Sequence, residues 1–470
     1  MIRKNILVIF WVIFSLTELK AQDTVRTLNA EELLNLVRRF HPVAKKAGID
    51  IEKTRADLTS ARSAFDPILS NAVGRKTMNG VNYYDYTSPE IRIPTWFGIE
   101  IYTGLENLSG SRLDPSQTGG ESSYSGISIP LAKNLLIDKR RAFLQQAKVM
   151  NNLAKVEQKA VINNLLMEAI EAYWHWVKSW QNYKVVENMV GINEKRVALV
   201  KRSYFMGERP AIDTVEAITQ LQSYKYLQNE QWLQFQNAGL QLSAFLWDEM
   251  DRPYTLPLTV IPPDEWENET TILSASISLT DLLNSAAENH PELNVYDYKL
   301  EILTIDKKLK FQELLPKVDF SYNHLAKGNN AFNTINTAGL FENNFQYGLK
   351  LAIPLRFSQG RGDFRKARLK IAETRLDQIQ TQLKIQLKIQ SYYNEWMTLK
   401  NQTALQRANY QNYQQLVKAE ETRFFNGESS LFLINSRENK ALEALEKLIS
   451  LKTKFYKTVY ALQWSAGLLN

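Results

Sequence analysis

His41, His175, His290 and His324 are the only imidazoles in these 470 residues, and there is no cysteine. Without Cys there is no disulfide, no thiol nucleophile, no Cys-based zinc or iron-sulfur site, and no acylation through an N-terminal Cys. An all-His metal site would need most of the four histidines brought together. Two of them precede proline, as His41-Pro42 and His290-Pro291, and proline suits a first helical turn, so both read as helix starts. His175 lies among Tyr173, Trp174 and Trp176 and reads as packing. One charged cluster remains. Arg209, Asp213 and Glu216 follow Gly207, and the two acids, three apart, share a helix face, although acids also collect at ordinary helix starts. No Gly-rich phosphate loop, Ser-centred nucleophile turn or clustered acid motif is present, so neither enzyme, cofactor nor metal is expected. Lys and Arg number 57 against 50 acids and are interleaved with them, which argues against a nucleic-acid partner.

The elements that carry these residues are long. Proline is absent from 131–209 and from 355–470, and such gaps permit very long helices. Within them, Arg141 to Ala172 and Lys366 to Gln390 consist of strong helix formers with apolar residues spaced by three and four. A helix from Ala132 to Met206 would run about 110 Å at 1.5 Å per residue, a length used by coiled coils and tubes. Ahead of this, Arg3 and Lys4 followed by an apolar run from Ile6 to Phe14 and a small residue at Ala21 predict a signal peptide over 1–21. No later segment is apolar enough for a spanning helix, so any membrane crossing must be made of strands.

The chain is also doubled. Leu33-Leu34, His41-Pro42 and Pro67 recur as Leu282-Leu283, His290-Pro291 and Pro316. Ile129-Pro130-Leu131 recurs as Ile353-Pro354-Leu355, Tyr173 and Trp176 as Tyr393 and Trp396, and Tyr204 to Glu208 as Phe424 to Glu428. Between these landmarks the hydrophobic period changes to that of strands, predicting one β-hairpin over about 68–131 and another over about 317–355. The first hairpin is the longer, and Glu90 to Asn107 can add strand of its own. The reading is α+β and mainly α, with a first repeat over 22–255 and a second over 279–470, joined by a Pro-rich linker over 256–278. Each repeat runs helix, hairpin, very long helix, turn, long helix. The long helices are expected at 132–206 and 208–247, then at 356–426 and 428–466.

An exported, Cys-free chain in two such halves resembles the TolC family of outer-membrane efflux proteins over essentially its whole mature length. The repeated (Tyr/Phe)-Phe-x-Gly-Glu turns, the Ile-Pro-Leu closing each hairpin and the Asp138 to Ala142 run opening the first long helix carry the resemblance. It implies a homotrimer whose protomers contribute four strands each to a 12-stranded barrel in the outer membrane, set on a periplasmic barrel of helices. The implied function is an exit duct for solutes, serving tripartite efflux or type I secretion, with a periplasmic adaptor protein, an inner-membrane transporter and outer-membrane lipid as partners. A gate is then expected at the turns. The family's charged positions after the second turn are Ser429, Leu433 and Ser436 here, so Arg209, Asp213, Glu216 and Arg423 become the gate candidates. Tyr204, Phe205, Met206, Gly207, Phe424, Phe425 and Gly427 form the tips, where the aromatics either meet an adaptor or pack the turn. A periplasmic coiled-coil adaptor or an envelope scaffold is the alternative. The first would show one hairpin on a compact β domain and the second no strands.

Overall fold

The computed structural model describes residues 26–113, 118–267, 277–329 and 341–469. The expected signal peptide lies outside the described residues, as do part of the 256–278 linker and most of the Asn/Gly/Thr-rich stretch of the second β segment. In chain order the elements are β1 (Arg26–Thr27), α1 (Ala30–Phe40), α2 (Pro42–Arg62), β2 (Ile68–Met78), β3 (Val81–Pro94), β4 (Glu100–Ser109), β5 (Gly120–Pro130), α3 (Lys139–Phe205) and α4 (Ala211–Ser243). They continue with β6 (Val260–Ile261), α5 (Leu279–Asn289), α6 (Pro291–Gln312), β7 (Lys317–Lys327), β8 (Phe345–Ala352), α7 (Ser358–Phe425) and α8 (Leu431–Ser465).

Two helices dominate, α3 with 67 residues and α7 with 68, each about 100 Å long at 1.5 Å per residue. α3 begins at Lys139 rather than near 132, because extended Asp138 caps it. The Asp138 carboxylate accepts from the Arg141 backbone N–H at 2.8 Å and from Arg141 Nε at 3.2 Å, satisfying a donor that an α-helix start leaves free. Toward the sheet, α2, α3, α6 and α7 lie side by side; farther away α4 replaces α2 beside α3, and α8 replaces α6 beside α7. Among the described residues no helix is long and apolar enough to cross a membrane.

The strands correct one expectation. Residues 68–131 hold four strands, β2 to β5, where a single hairpin was expected, so among the described residues one chain puts six strands into its main sheet and not four. They form one antiparallel sheet in the order β2-β3-β4-β5-β7-β8. Asn79-Gly80, with φ of 49° and 77°, turns β2 into β3, the left-handed pair that a tight hairpin turn requires. At the other end Thr95 to Gly98 turns β3 into β4. Gly98 has φ of 87°, and a Cβ there would lie 2.7 Å from the Arg141 guanidinium. That guanidinium donates to the carbonyls of Phe97 and Leu135, at 3.2 and 3.0 Å, and to that of Asn134, which ties the added turn to the start of α3.

The main core sits halfway along the helices. Tyr173, Trp174 and Trp176 are fully buried there against Phe235, Leu33 and Leu242, with Trp266 and Tyr456 closing over Trp174. β1 and β6 form a short parallel pair at its side. His175 is not part of the packing: it points outward and is exposed, its three aromatic neighbours taking the inward helix positions.

His41 and His290 start α2 and α6. In each case imidazole Nδ1 accepts the backbone N–H two residues on, from Val43 and Glu292, at 3.2 Å, and proline takes the first helical position. Burial pushes both imidazoles below the usual pKa of 6.5. The neutral ring is therefore the folded form, and its contribution is present above about pH 6.5 and lost as pH falls through the lowered values. Taking detergent-solubilised protein from about pH 7.5 to about pH 5 is expected to lower its thermal midpoint. H41N/H290N, which keeps a capping side chain without a titrating one, is expected to flatten that dependence; an unchanged pH slope would place the acid sensitivity elsewhere.

Candidate functional site

The end of the helices farthest from the sheet is built by two similar turns. At the end of α3, Gly207 has φ of 75°, its N–H donates to Tyr204 O at 2.9 Å, and the Glu208 N–H donates to Ser203 O at 3.0 Å. At the end of α7, Gly427 has φ of 77°, with Gly427 N–H to Phe424 O at 3.0 Å and Glu428 N–H to Arg423 O at 2.8 Å. This paired bonding is the Schellman cap, whose left-handed residue is cheap only as glycine. Pro210 and Ser430 then lead into α4 and α8.

Arg209 joins the two turns. Its guanidinium lies 3.8 Å over the Phe424 ring, and Nη2 donates to the Phe424 carbonyl at 2.7 Å. A cation over an aromatic face is attracted by the ring quadrupole, more strongly when partly desolvated, and Arg209 is about one-fifth exposed. Asp213, in the first turn of α4, stands 3.8 Å from Arg209 Nη1. Glu216 faces α8 and accepts from Asn435 Nδ2 at 3.2 Å. Arg423 lies with neither of these acids. It is 3.7 Å from Glu420, a buried carboxylate that also accepts from Ser429 Oγ at 2.5 Å. Ser429, uncharged where the family expectation wants arginine, thus serves as an internal hydrogen-bond donor to Glu420.

The tip aromatics divide. Phe424 is buried with Val200, Ala217, Leu431 and Ile434, whereas Tyr204, Phe205, Met206 and Phe425 are exposed, Phe205 at 83% and Phe425 at 73%. Between the ends of α3 and α7 lies a groove of about 680 Å³, floored by Val200 and Ile434 and rimmed by Lys195, Glu208, Arg209 and Phe425.

Sequence reasoning missed the strongest charged contact near this end. Arg196 on α3 makes a bidentate pair with Glu438 on α8 and donates to Glu421 on α7 at 3.0 Å, with Arg196 and Glu438 both largely buried. Burial opposes its charge, but the two carboxylates outweigh that and hold the Arg196 pKa above its usual value. Its partners lie in the other half of the chain, and no local spacing announces them. Among the described residues no cluster of His, Asp or Glu could hold a metal ion.

Residues 282–468 match the family model of outer membrane efflux proteins, a family of transport ducts and not of enzymes. No curated protein sequence matches the chain. Among solved structures, the outer membrane channel CmeC of Campylobacter jejuni is similar at 14% identity, covering 93% of this chain and 85% of that one, with a TM-score of 0.63. The outer membrane protein VceC of Vibrio cholerae, at 14% identity, covers 93% and 96% with a TM-score of 0.62. The outer membrane channel MtrE of Neisseria gonorrhoeae, in its open state and at 10% identity, covers 93% and 89% with a TM-score of 0.64. Residues 282–468 thus match the outer membrane efflux protein family, and the chain has the fold of outer-membrane channels.

Proposed function

We propose that this chain is one protomer of a homotrimeric exit duct in the outer membrane. Solutes delivered by an inner-membrane transporter and its periplasmic adaptor leave the cell through it, and no covalent chemistry is involved. The two sequence repeats, 22–255 and 279–470, supply the same series of parts, with 256–278 joining them. Export depends on the signal peptide over 1–21, and the Cys-free chain is held by its strands without a lipid anchor.

The observation that carries this reading is the sheet. Strand register places Leu69, Ile91, Ile101, Ile127, Phe320 and Leu349 on one face. The opposite face carries Glu90, Arg92, Tyr102, Tyr124, Asn323 and Gln346. One apolar and one polar face, alternating along strands of about ten residues, is what a membrane barrel needs with lipid outside and water within. A coiled-coil adaptor or scaffold has no use for such a surface. At the far end, Tyr204, Phe205, Met206 and Phe425 border the tip groove and are the contacts offered to the adaptor, while Phe424 belongs to the packing of the turns.

The gate reading rests on Arg209. By holding the Phe424 ring and carbonyl, Arg209 links the α3/α4 turn to the α7/α8 turn, and parting the turns has to break that contact. Asp213 balances its charge, and Glu216 with Asn435 adds a second link between α4 and α8.

Purified protein is expected to run as a trimer of the mature chain and to give discrete conductance steps in a planar bilayer; a water-soluble protein without conductance would overturn the duct. A contact such as Arg209 over Phe424 contributes on the order of 1 kcal/mol, so R209A is expected to shift the closed-to-open balance about fivefold toward open, read as longer open times. D213A/E216A is expected to weaken cation preference in the same recordings. Traces identical to wild type for both variants would remove the gate from these residues.

A further inference from the structure

We infer that the β3–β4 hairpin is part of the membrane wall, so that the barrel has eighteen strands, six from each of three chains. The inference rests on the duct reading and deepens it. The added hairpin is not appended to the sheet. It separates β2 from β5, which do not pair, and it is laddered on both sides: Leu69 opposite Ile91, Ile93 opposite Ile101, Ile101 opposite Ile127. A hairpin folded into the lumen as a plug would leave β2 and β5 to pair with each other.

The two faces of the hairpin point the same way. On one side Ile91, Ile93 and Ile101 are 40–47% exposed and continue the apolar face of the neighbouring strands. Three isoleucines presented to lumen water would be costly, whereas against acyl chains they belong. On the other side is a closed polar set. Arg92 donates to Glu90 and to Glu100, both at 3.0 Å, and lies 4.8 Å over the Tyr102 ring. Arg140 reaches Glu100 at 2.6 Å, and the Tyr124 hydroxyl donates to Glu90 at 2.8 Å. Charges paired in this way suit the water side of a barrel.

Closure needs an occupant for each free edge, and a second copy of this chain supplies it. Among the described residues β2 pairs only with β3, and β8 only with β7. With six antiparallel strands, β2 and β8 run in opposite directions, so β8 of one chain meets β2 of the next in antiparallel sense and the ladder continues unbroken around the ring. Perimeter favours the same number. Four helices side by side at 8–10 Å take about 36 Å per chain. Six strands spaced about 4.8 Å and tilted about 40° take about 38 Å, and four take about 25 Å. Six strands match the helices they stand on, where four would need a much steeper tilt.

The absence of native Cys makes single-cysteine labelling the direct test, on the full chain reconstituted in liposomes. I101C is expected to react with a membrane-dissolved maleimide and to resist a membrane-impermeant one, while E106C, on the polar face of β4, is expected to show the reverse. Reaction of I101C with the impermeant reagent would overturn the inference, because the hairpin would then stand in water. Electron cryomicroscopy of the wild-type trimer should count eighteen strands around the wall; twelve, with the hairpin inside, would also overturn it. If the protein neither enters the bilayer nor forms a trimer, the duct reading itself fails, which is a different result from a channel with a water-exposed hairpin.

Discussion

Unpaired backbone along the outer edges of β2 and β8 is the constraint on which the rest of this molecule turns. Each edge presents a row of N–H and C=O groups, and in hydrocarbon every such group left without a partner costs several kcal/mol. Water can satisfy an edge, but the apolar face of this sheet makes water the wrong surroundings. Only closure meets both demands, and a single six-stranded sheet is too narrow to close around a pore by itself. On the duct reading proposed above, association of copies answers this constraint, and a common axis for the helices below would follow from association.

The junction between strands and helices shows how the load is passed on. β2 follows α2, β5 leads into α3, β7 follows α6 and β8 leads into α7, so four of the six strands continue as helices. Asp138 caps α3 at this level, and Lys133 meets Glu313 across the repeats at 2.5 Å. Farther down, the buried aromatic belt around Trp174 fixes α3 against α4 and α8. Near the tips, Arg196 with Glu438 and Glu421 fixes α3 against α7 and α8. Removing one partner of such a buried pair leaves an uncompensated charge, so it resists local separation of the helices it joins.

Much of this was legible in the residues. Proline-free stretches announced helices of rare length, because a single interior proline would have broken them. Gly207 and Gly427 announced reversals, and the His-Pro pairs announced helix starts. The strand number was harder. Period-2 alternation is weak over ten residues, and Pro89 inside β3 argues against a strand with neighbours on both sides. The fold accommodates it by a gap: the β3–β4 ladder runs from Thr87 to Glu90 without pairing Ser88 or Pro89. The Arg196 clamp and the Arg209–Phe424 contact were not legible at all, since their partners come from the opposite half of the chain. The outward turn of His175 was equally hidden, because an aromatic cluster in sequence does not say which of its members a helix turns inward.

The Thr95–Gly98 turn has a wider consequence. It reverses the chain without a helix on either side, held by backbone bonds, by the Thr95 hydroxyl donating to the Ile99 carbonyl at 2.7 Å, and by the guanidinium of Arg141. Strands can therefore be inserted in pairs at this level without adding, removing or re-spacing any helix. On the proposed duct reading, the girth of the membrane part and the number of rods beneath it are then independent variables, so that a hairpin gained or lost at this turn would change the width of the outer opening and leave the surface at the helix tips unchanged.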